Sequence, residues 1–292
     1  MLIRAWRAWR SKAKLIAPQL QPPVRYIGPD LLDTNLREIA EAGGPELKPY
    51  EGLAEFWHSY IYRVQPDYTA FLLGLARNRR LGLRSILDLA CGSGTCTARL
   101  TGAAPQVVGL DMSEPMLARA RIRCACFPEV EFIQGDFRNF ELNRQFDASV
   151  CACDSLNYVA SIAELAAVFR SVARHLRPGG VFVFDTITEF GMKVLTGKYH
   201  HIDADGGTFA LQFTYDPDFR QEVSRAILPT GIEIHRRIPI DPTDVAEAIS
   251  DTDLVMDDYF SDSLIPGRWH TDWRCYFVLS KQKEAARDGN RS

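Results

Sequence analysis

Arg84-Ser85-Ile86-Leu87-Asp88-Leu89-Ala90-Cys91-Gly92-Ser93-Gly94-Thr95 is the stretch that decides the fold. Its first half is a short apolar run that ends near an acid, and its second half is a turn of small residues opening into Thr95-Cys96-Thr97-Ala98. A strand that ends in glycines and feeds a helix brings bare backbone amides close to a ligand, which is how nucleotide-binding loops work in general. Asp88 sharpens this reading, because a carboxylate beside the loop repels a diphosphate and suits a ligand that carries positive charge. Thr97 stands where a dinucleotide fingerprint has its third glycine, which disfavours NAD and FAD.

Working outward, the chain alternates strand and helix. Strands are predicted at 84–89, 106–111, 130–135, 146–152 and 181–186, with helices at 95–102, 115–124 and 161–176. This alternation implies a parallel sheet covered by helices on both faces, with ligands at the carboxyl ends of the strands. Arg177-Pro178-Gly179-Gly180 is expected to stop the last of these helices in a turn. Two further acids end the next two strands: Asp111 in Gly109-Leu110-Asp111-Met112-Ser113, and Asp136 in Gly135-Asp136-Phe137. Three acids at successive strand ends suit an adenosyl group, with Asp88 near a cationic amino-acid end, Asp111 at the ribose hydroxyls and Asp136 at the adenine amine. Met112 and Phe137 would cover the adenine faces.

At these residues the sequence resembles the class I S-adenosylmethionine-dependent methyltransferases of small-molecule type, over about residues 50–281. The glycine motif appears as Asp88-x-Ala90-x-Gly92-x-Gly94, the second motif as Gly109-Leu110-Asp111-Met112-Ser113 followed by Pro115-Met116-Leu117, and the turn after the last helix as Leu176-Arg177-Pro178-Gly179-Gly180. The resemblance implies S-adenosylmethionine as cofactor and a lead-in segment at Tyr50 and Ala54 that touches it. The expected cofactor contacts are Tyr50, Asp88, Ala90, Gly92, Ser93, Gly94, Asp111, Met112, Asp136, Phe137, Cys153 and Asp154.

Methyl transfer from a sulfonium is an in-line displacement, so the enzyme must mainly align the acceptor and exclude water. The acceptor should approach over Cys151-Ala152-Cys153-Asp154-Ser155-Leu156-Asn157-Tyr158. This stretch lacks the Asn/Asp-Pro-Pro-Tyr motif of methyltransferases that act on nucleobase or glutamine amino groups, so a small-molecule acceptor is expected, with an amine nitrogen ahead of a hydroxyl or carboxyl oxygen. Asp154 is the first candidate for orienting or deprotonating an amine, with Tyr158 and His235 as the other catalytic candidates. Strand alternation puts His235 and Arg236 on opposite faces, so one of them at most should point into the site. Tyr199, His200, His201 and Tyr215, with Trp269-His270 near Trp273, are further candidates for acceptor contact. A non-catalytic cofactor-binding module is the alternative of another class.

After Asp185 the pattern changes to three strands at 208–215, 221–228 and 231–238, separated by Asp-Pro-Asp and Pro-Thr-Gly turns. A helix capped by Asp241 follows, then strands at 254–260 and 274–280. The expected fold is thus α/β: a doubly wound, mostly parallel seven-stranded sheet with an antiparallel insertion after strand five and a helical N-terminal extension. The expected units are an arm at 1–49, a cofactor-binding core at 50–190, a lid at 191–240, completion of the core sheet at 241–283 and a frayed tail at 284–292. The arm begins with a basic amphipathic stretch, MLIRAWRAWRSKAKLIAPQL.

Bulk properties exclude several classes. A formal charge of -3 argues against a surface that neutralises many phosphates, so nucleic acid is not an expected partner. No run of about 18 apolar residues exists, so no stable membrane insertion is expected. Seven cysteines lie in or beside apolar runs, as buried thiols do in a reducing compartment, and a cytoplasmic location follows. The pairs Cys124/Cys126 and Cys151/Cys153 have neither the spacing nor the nearby histidine of a zinc site, so no metal is expected. Homo-oligomerisation is left open.

Overall fold

The structure, a computed structural model, describes residues 25–27, 32–57, 68–197, 199–204, 207–261 and 269–283. The basic stretch 1–20, His58 and the tail from Glu284 lie outside them. The described chain begins with β1 (Arg25–Ile27), α1 (Thr34–Ala42), β2 (Glu46–Leu47) and α2 (Tyr68–Arg79). The α/β core follows as β3 (Ser85–Leu89), α3 (Thr95–Leu100), β4 (Gln106–Asp111), α4 (Glu114–Arg123), β5 (Val130–Gln134), β6 (Phe146–Cys151), α5 (Ile162–His175) and β7 (Leu176–Ile187). Then come α6 (Glu189–Leu195), β8 (Tyr199–Ala204), β9 (Gly207–Asp216), β10 (Gln221–Leu228), β11 (Gly231–Arg237), α7 (Pro242–Ala248), β12 (Leu254–Ser261) and β13 (Arg274–Lys281).

The larger sheet has the order β12-β13-β7-β6-β3-β4-β5, parallel except where β13 pairs with β7 and with β12. This is the doubly wound seven-stranded sheet expected from the βα alternation. β3 and β6 are buried along their whole length, which is why they read as continuous apolar runs rather than alternating ones. One core packs α5 and α7 on Phe182, Phe184 and Phe277, and a second packs Leu72, Leu75 and Leu100 on the other face. Helix starts carry the caps their sequences suggest: Ser161 accepts from the Glu164 amide, and Asp241 with Asp244 forms a reciprocal capping box under Pro242. The strand order reverses between β3 and β6, the crevice where ligands bind in open α/β sheets.

Two local expectations need correction. Helix α5 does end before the Arg177-Pro178-Gly179-Gly180 stretch, but that stretch belongs to β7, joined to β6 through a Phe146–Leu176 pair and a register shift. A turn-forming sequence can be carried within a strand at such a shift, which bends the strand instead of ending it. The insertion is also larger than its three legible strands. It forms a six-stranded sheet in the order β1-β8-β9-β10-β11-β2, so the N-terminal extension contributes strands as well as α1. β1 and β2 span three and two residues, too few for alternation to register in sequence.

Candidate functional site

Over the carboxyl ends of β3, β4 and β6 lies a cavity of about 750 Å³. Of the expected cofactor contacts, Tyr50, Asp88, Ala90, Gly92 and Ser93 line it, as do Asp111, Met112, Asp136, Phe137 and Cys153. Gly94 does not line it. A Cβ there would come within 3.1 Å of the Ala120 Cα, so Gly94 serves the close approach of the loop to α4. Tyr50, Ala90 and Cys153 hold left-handed backbone conformations (φ 63°, 53° and 61°), costly for residues other than glycine and typical of functional sites.

The three acids differ in how much of their hydrogen-bonding capacity is already used. Asp88 accepts from the Thr97 hydroxyl at 2.6 Å through Oδ2, while its buried Oδ1 has no partner. Burial, offset by that bond, pushes its pKa up to about 7, so a cation placed beside it would satisfy both the open oxygen and the charge. Asp111 accepts from the Gly92 amide at 2.8 Å and the Ser113 amide at 2.8 Å, which ties the glycine loop to β4. Burial raises its pKa. Asp136 is clamped by Arg138, whose guanidinium donates to both its oxygens and whose Nη1 reaches Glu164 at 3.0 Å. The clamp holds the Asp136 carboxyl below its usual range.

A second cavity, about 160 Å³, adjoins the first and shares Tyr50, Trp57, Cys153, Tyr158 and His235 with it. It lies between the two sheets. Asp154 lines this second cavity and not the first. Its Oδ2 takes Arg237 at 2.5 Å and its Oδ1 takes Arg274 at 2.7 Å. Burial alone would raise its pKa, but the two guanidinium groups outweigh that and hold it low, so it is a poor proton acceptor. Arg237 also binds buried Glu222, and Arg274 binds Asp185. The Asp185 carboxylate in turn accepts from the amides of Cys153 (2.8 Å) and Asp154 (3.0 Å), which fixes the left-handed turn after β6. Asp154 is therefore part of the ionic seam between the sheets.

The other two catalytic candidates do come together. The Tyr50 hydroxyl donates to the Tyr158 hydroxyl at 2.7 Å, and Tyr158 lies 3.1 Å from His235 Nδ1. His235 Nε2 lies 3.2 Å from Glu233 Oε2. Burial pushes the Tyr158 phenol up to about 12 and raises Tyr50 as well, so both remain neutral hydroxyls near neutrality. His235 is buried and Arg236 is exposed, on opposite faces of β11 as alternation requires, yet both line the larger cavity, so the expectation that one at most would reach the site does not hold. His200 lines the second cavity, whereas Tyr199 accepts from Gln212, Tyr215 donates to Glu189, and His201 lies beside Asp203. Of Trp269, His270 and Trp273, the last alone lines the second cavity.

Sequence reasoning missed Glu233, Arg237, Glu222, Asp185 and Arg274. One signal was available: Glu233, His235 and Arg237 share a face of β11, and three ionisable residues in a row on the buried face of a strand demand partners. Among the described residues, no group of His, Cys, Asp and Glu is arranged to hold a metal ion, and no helix is long and apolar enough to cross a membrane.

Residues 86–180 match the family described as a methyltransferase domain. Over that stretch the chain is similar to a methyltransferase domain, and its fold is that of solved S-adenosylmethionine-dependent methyltransferases. An S-adenosylmethionine-dependent methyltransferase from Clostridium acetobutylicum shares the fold, with a TM-score of 0.67 at 21% identity over 77% of this chain and 96% of that one. The sugar N-methyltransferase KedS8 from Streptoalloteichus gives a TM-score of 0.56 at 27% identity, covering 81% and 89%. Among curated proteins, the dTDP-3-amino-3,4,6-trideoxy-alpha-D-glucopyranose N,N-dimethyltransferase of Streptomyces venezuelae is 41% identical over 122 residues, which is 41% of this chain and 50% of that protein. The chain spans about half the length of the curated relatives it matches.

Proposed function

We propose that this protein transfers the methyl group of S-adenosylmethionine to the amine nitrogen of a small acceptor, of which an amino sugar is the class suggested by its relatives' names. The observation that carries this reading is the junction of the two cavities, where Tyr158 and His235 face a space contiguous with the glycine-loop cavity. The larger cavity takes the donor. The open Oδ1 of Asp88 would receive its ammonium group, Asp111 would hold the ribose, and Asp136, Met112 and Phe137 would hold the adenine. These residues fit the group because the one buried carboxylate oxygen without a partner at the loop calls for a cation. When bound, S-adenosylmethionine supplies an electrophilic methyl group.

The smaller cavity takes the acceptor, which Trp57, Leu211 and Phe213 enclose on its apolar sides. Its volume resembles a cavity that holds one benzene-sized ring. An acceptor ammonium must lose a proton to expose its lone pair, and the proton passes to the Tyr158 oxygen as Tyr158 gives its own to His235 Nδ1. Because Tyr158 stays a neutral phenol, it relays the proton instead of storing it. An oxygen acceptor such as a carboxylate is disfavoured, since the two cations in the wall, Arg237 and Arg274, are already bound by Asp154, Glu222 and Asp185.

The test is S-adenosylhomocysteine release over a panel of small amines, amino sugars, hydroxyl compounds and carboxylates. Release with amines and their recovery as N-methyl products is expected. Release with hydroxyl or carboxyl compounds alone would replace this reading with O-methylation, and cofactor binding without release on any compound would leave a binding module.

A further inference from the structure

Glu233 is fully buried on β11, yet its carboxylate has four donors around it, drawn from two parts of the chain. Oε1 accepts from the amides of Gly52 (2.6 Å) and Leu53 (2.7 Å), and Oε2 accepts from the amide of Tyr50 (2.7 Å) while lying 3.2 Å from His235 Nε2. Residues 50–53 are the lead-in segment that brings Tyr50 into the walls of both cavities. His235 is the end of the proton path.

We infer that Glu233 is a positioning residue that holds the lead-in segment over the donor cavity and sets the tautomer of His235. The inference rests on the reading of Tyr158 and His235 as the proton path. An ionised carboxylate only accepts, so the ring nitrogen facing it must carry the hydrogen. His235 is then protonated at Nε2, and Nδ1 is left as an acceptor for the Tyr158 hydroxyl. Every bond of the chain Tyr50→Tyr158→His235→Glu233 points the same way, toward Glu233. Burial would neutralise such a carboxyl, but the histidine and the three amides outweigh it and keep Glu233 below its usual range. When His235 takes up a proton, the charge forms beside an anion already in place, so no water has to reorganise.

The geometry also joins two events. Any movement of β11 that draws Glu233 away releases three amides of the lead-in segment at once, so the donor cavity and the histidine are set together. Tyr50 packs edge-on against His235, with ring centres 5.0 Å apart, and this shares the same anchor.

The experiment uses the full chain. Long-range 1H–15N spectra of the wild type report the His235 tautomer, with the signal assigned through loss in His235→Gln. Protonation at Nε2 is expected, and protonation at Nδ1 overturns the inference. In Glu233→Gln the side chain keeps one acceptor and gains a donor, so the tautomer should switch to Nδ1–H and amide exchange at residues 50–53 should accelerate about tenfold or more. Calorimetry should find S-adenosylmethionine bound about tenfold more weakly, a change that Glu233→Asp partly restores. An unchanged tautomer with unchanged exchange overturns the inference. Should the tautomer switch while His235→Gln keeps the wild-type pH profile of turnover, the positioning role stands and the proton path fails.

Discussion

The two cavities that meet at Tyr50, Tyr158 and His235 use charge in opposite ways. In the larger one Arg138 clamps Asp136, but Asp88 keeps a buried oxygen without a partner and Asp111 spends its bonds on backbone amides alone, so these two acids face the space with no cation bound to them. In the smaller one, Asp154 is held by Arg237 and Arg274, and these in turn by Glu222 and Asp185. Unmatched charge marks where a charged ligand belongs, and matched charge marks where the protein holds itself together. The difference sorts two carboxylates, Asp88 near the end of β3 and Asp154 just beyond β6, that look alike in sequence.

The sharpest way to break this contrast is Arg237→Met. It leaves Asp154 and Glu222 buried with one cation fewer and should cost about 3–5 kcal/mol of stability, measured by urea unfolding. The matching change on the larger cavity, Arg138→Met, removes a half-exposed clamp on Asp136 and Glu164 and should cost less than about 1 kcal/mol. Equal losses would end the distinction between seam and site. Next, Tyr158→Phe should lower turnover about a hundredfold with S-adenosylmethionine affinity unchanged, and turnover within twofold of wild type would show that orientation alone suffices. Asp111→Ala should weaken S-adenosylmethionine binding by about 1–3 kcal/mol in calorimetry, with the fold checked separately. Wild-type affinity there would detach the ribose from Asp111.

A further effect is expected in the pH dependence of cofactor binding. The Asp88 pKa is raised to about 7, so in the free protein the carboxyl gains a proton as pH falls through that value. A cationic ligand prefers the ionised form, so affinity should fall about tenfold from pH 7.5 to pH 6, with proton release on binding at the lower pH. In Asp88→Asn this slope should vanish, and a slope that persists would assign it to another group.

The same contrast explains what was legible in the sequence. Asp88, Asp111 and Asp136 stand at the ends of successive strands, where residue type and position together specify chemistry, and the sheet of seven strands follows from the period of its elements. The smaller cavity is assembled from residues far apart: Asp154 meets Arg237 and Arg274 across the gap between sheets, and Glu233 meets residues 50–53. Local pattern carries no information about which distant cation a carboxylate will find. Hence Asp154 looked like a base, and Glu233, three donors short of its real setting, was passed over. For His235 and Arg236, alternation said only that they lie on opposite faces of β11, and did not say which faces the core. β1, β2 and β8 were not legible, since their pairing is dictated by the neighbouring strands and hardly by their own few residues.

The six-stranded sheet has a consequence for biosynthesis. Arg25 pairs with His201 and Glu46 with Ile232, so the early strands of the sheet leave the ribosome on the order of 180 residues before their partners. At ordinary translation rates that is a wait of roughly ten to forty seconds. During it, Leu36 and Leu53, which are buried against the later strands in the finished protein, have nothing to cover them. The order of synthesis thus leaves the first strands of this sheet without their partners until the whole parallel sheet has been made.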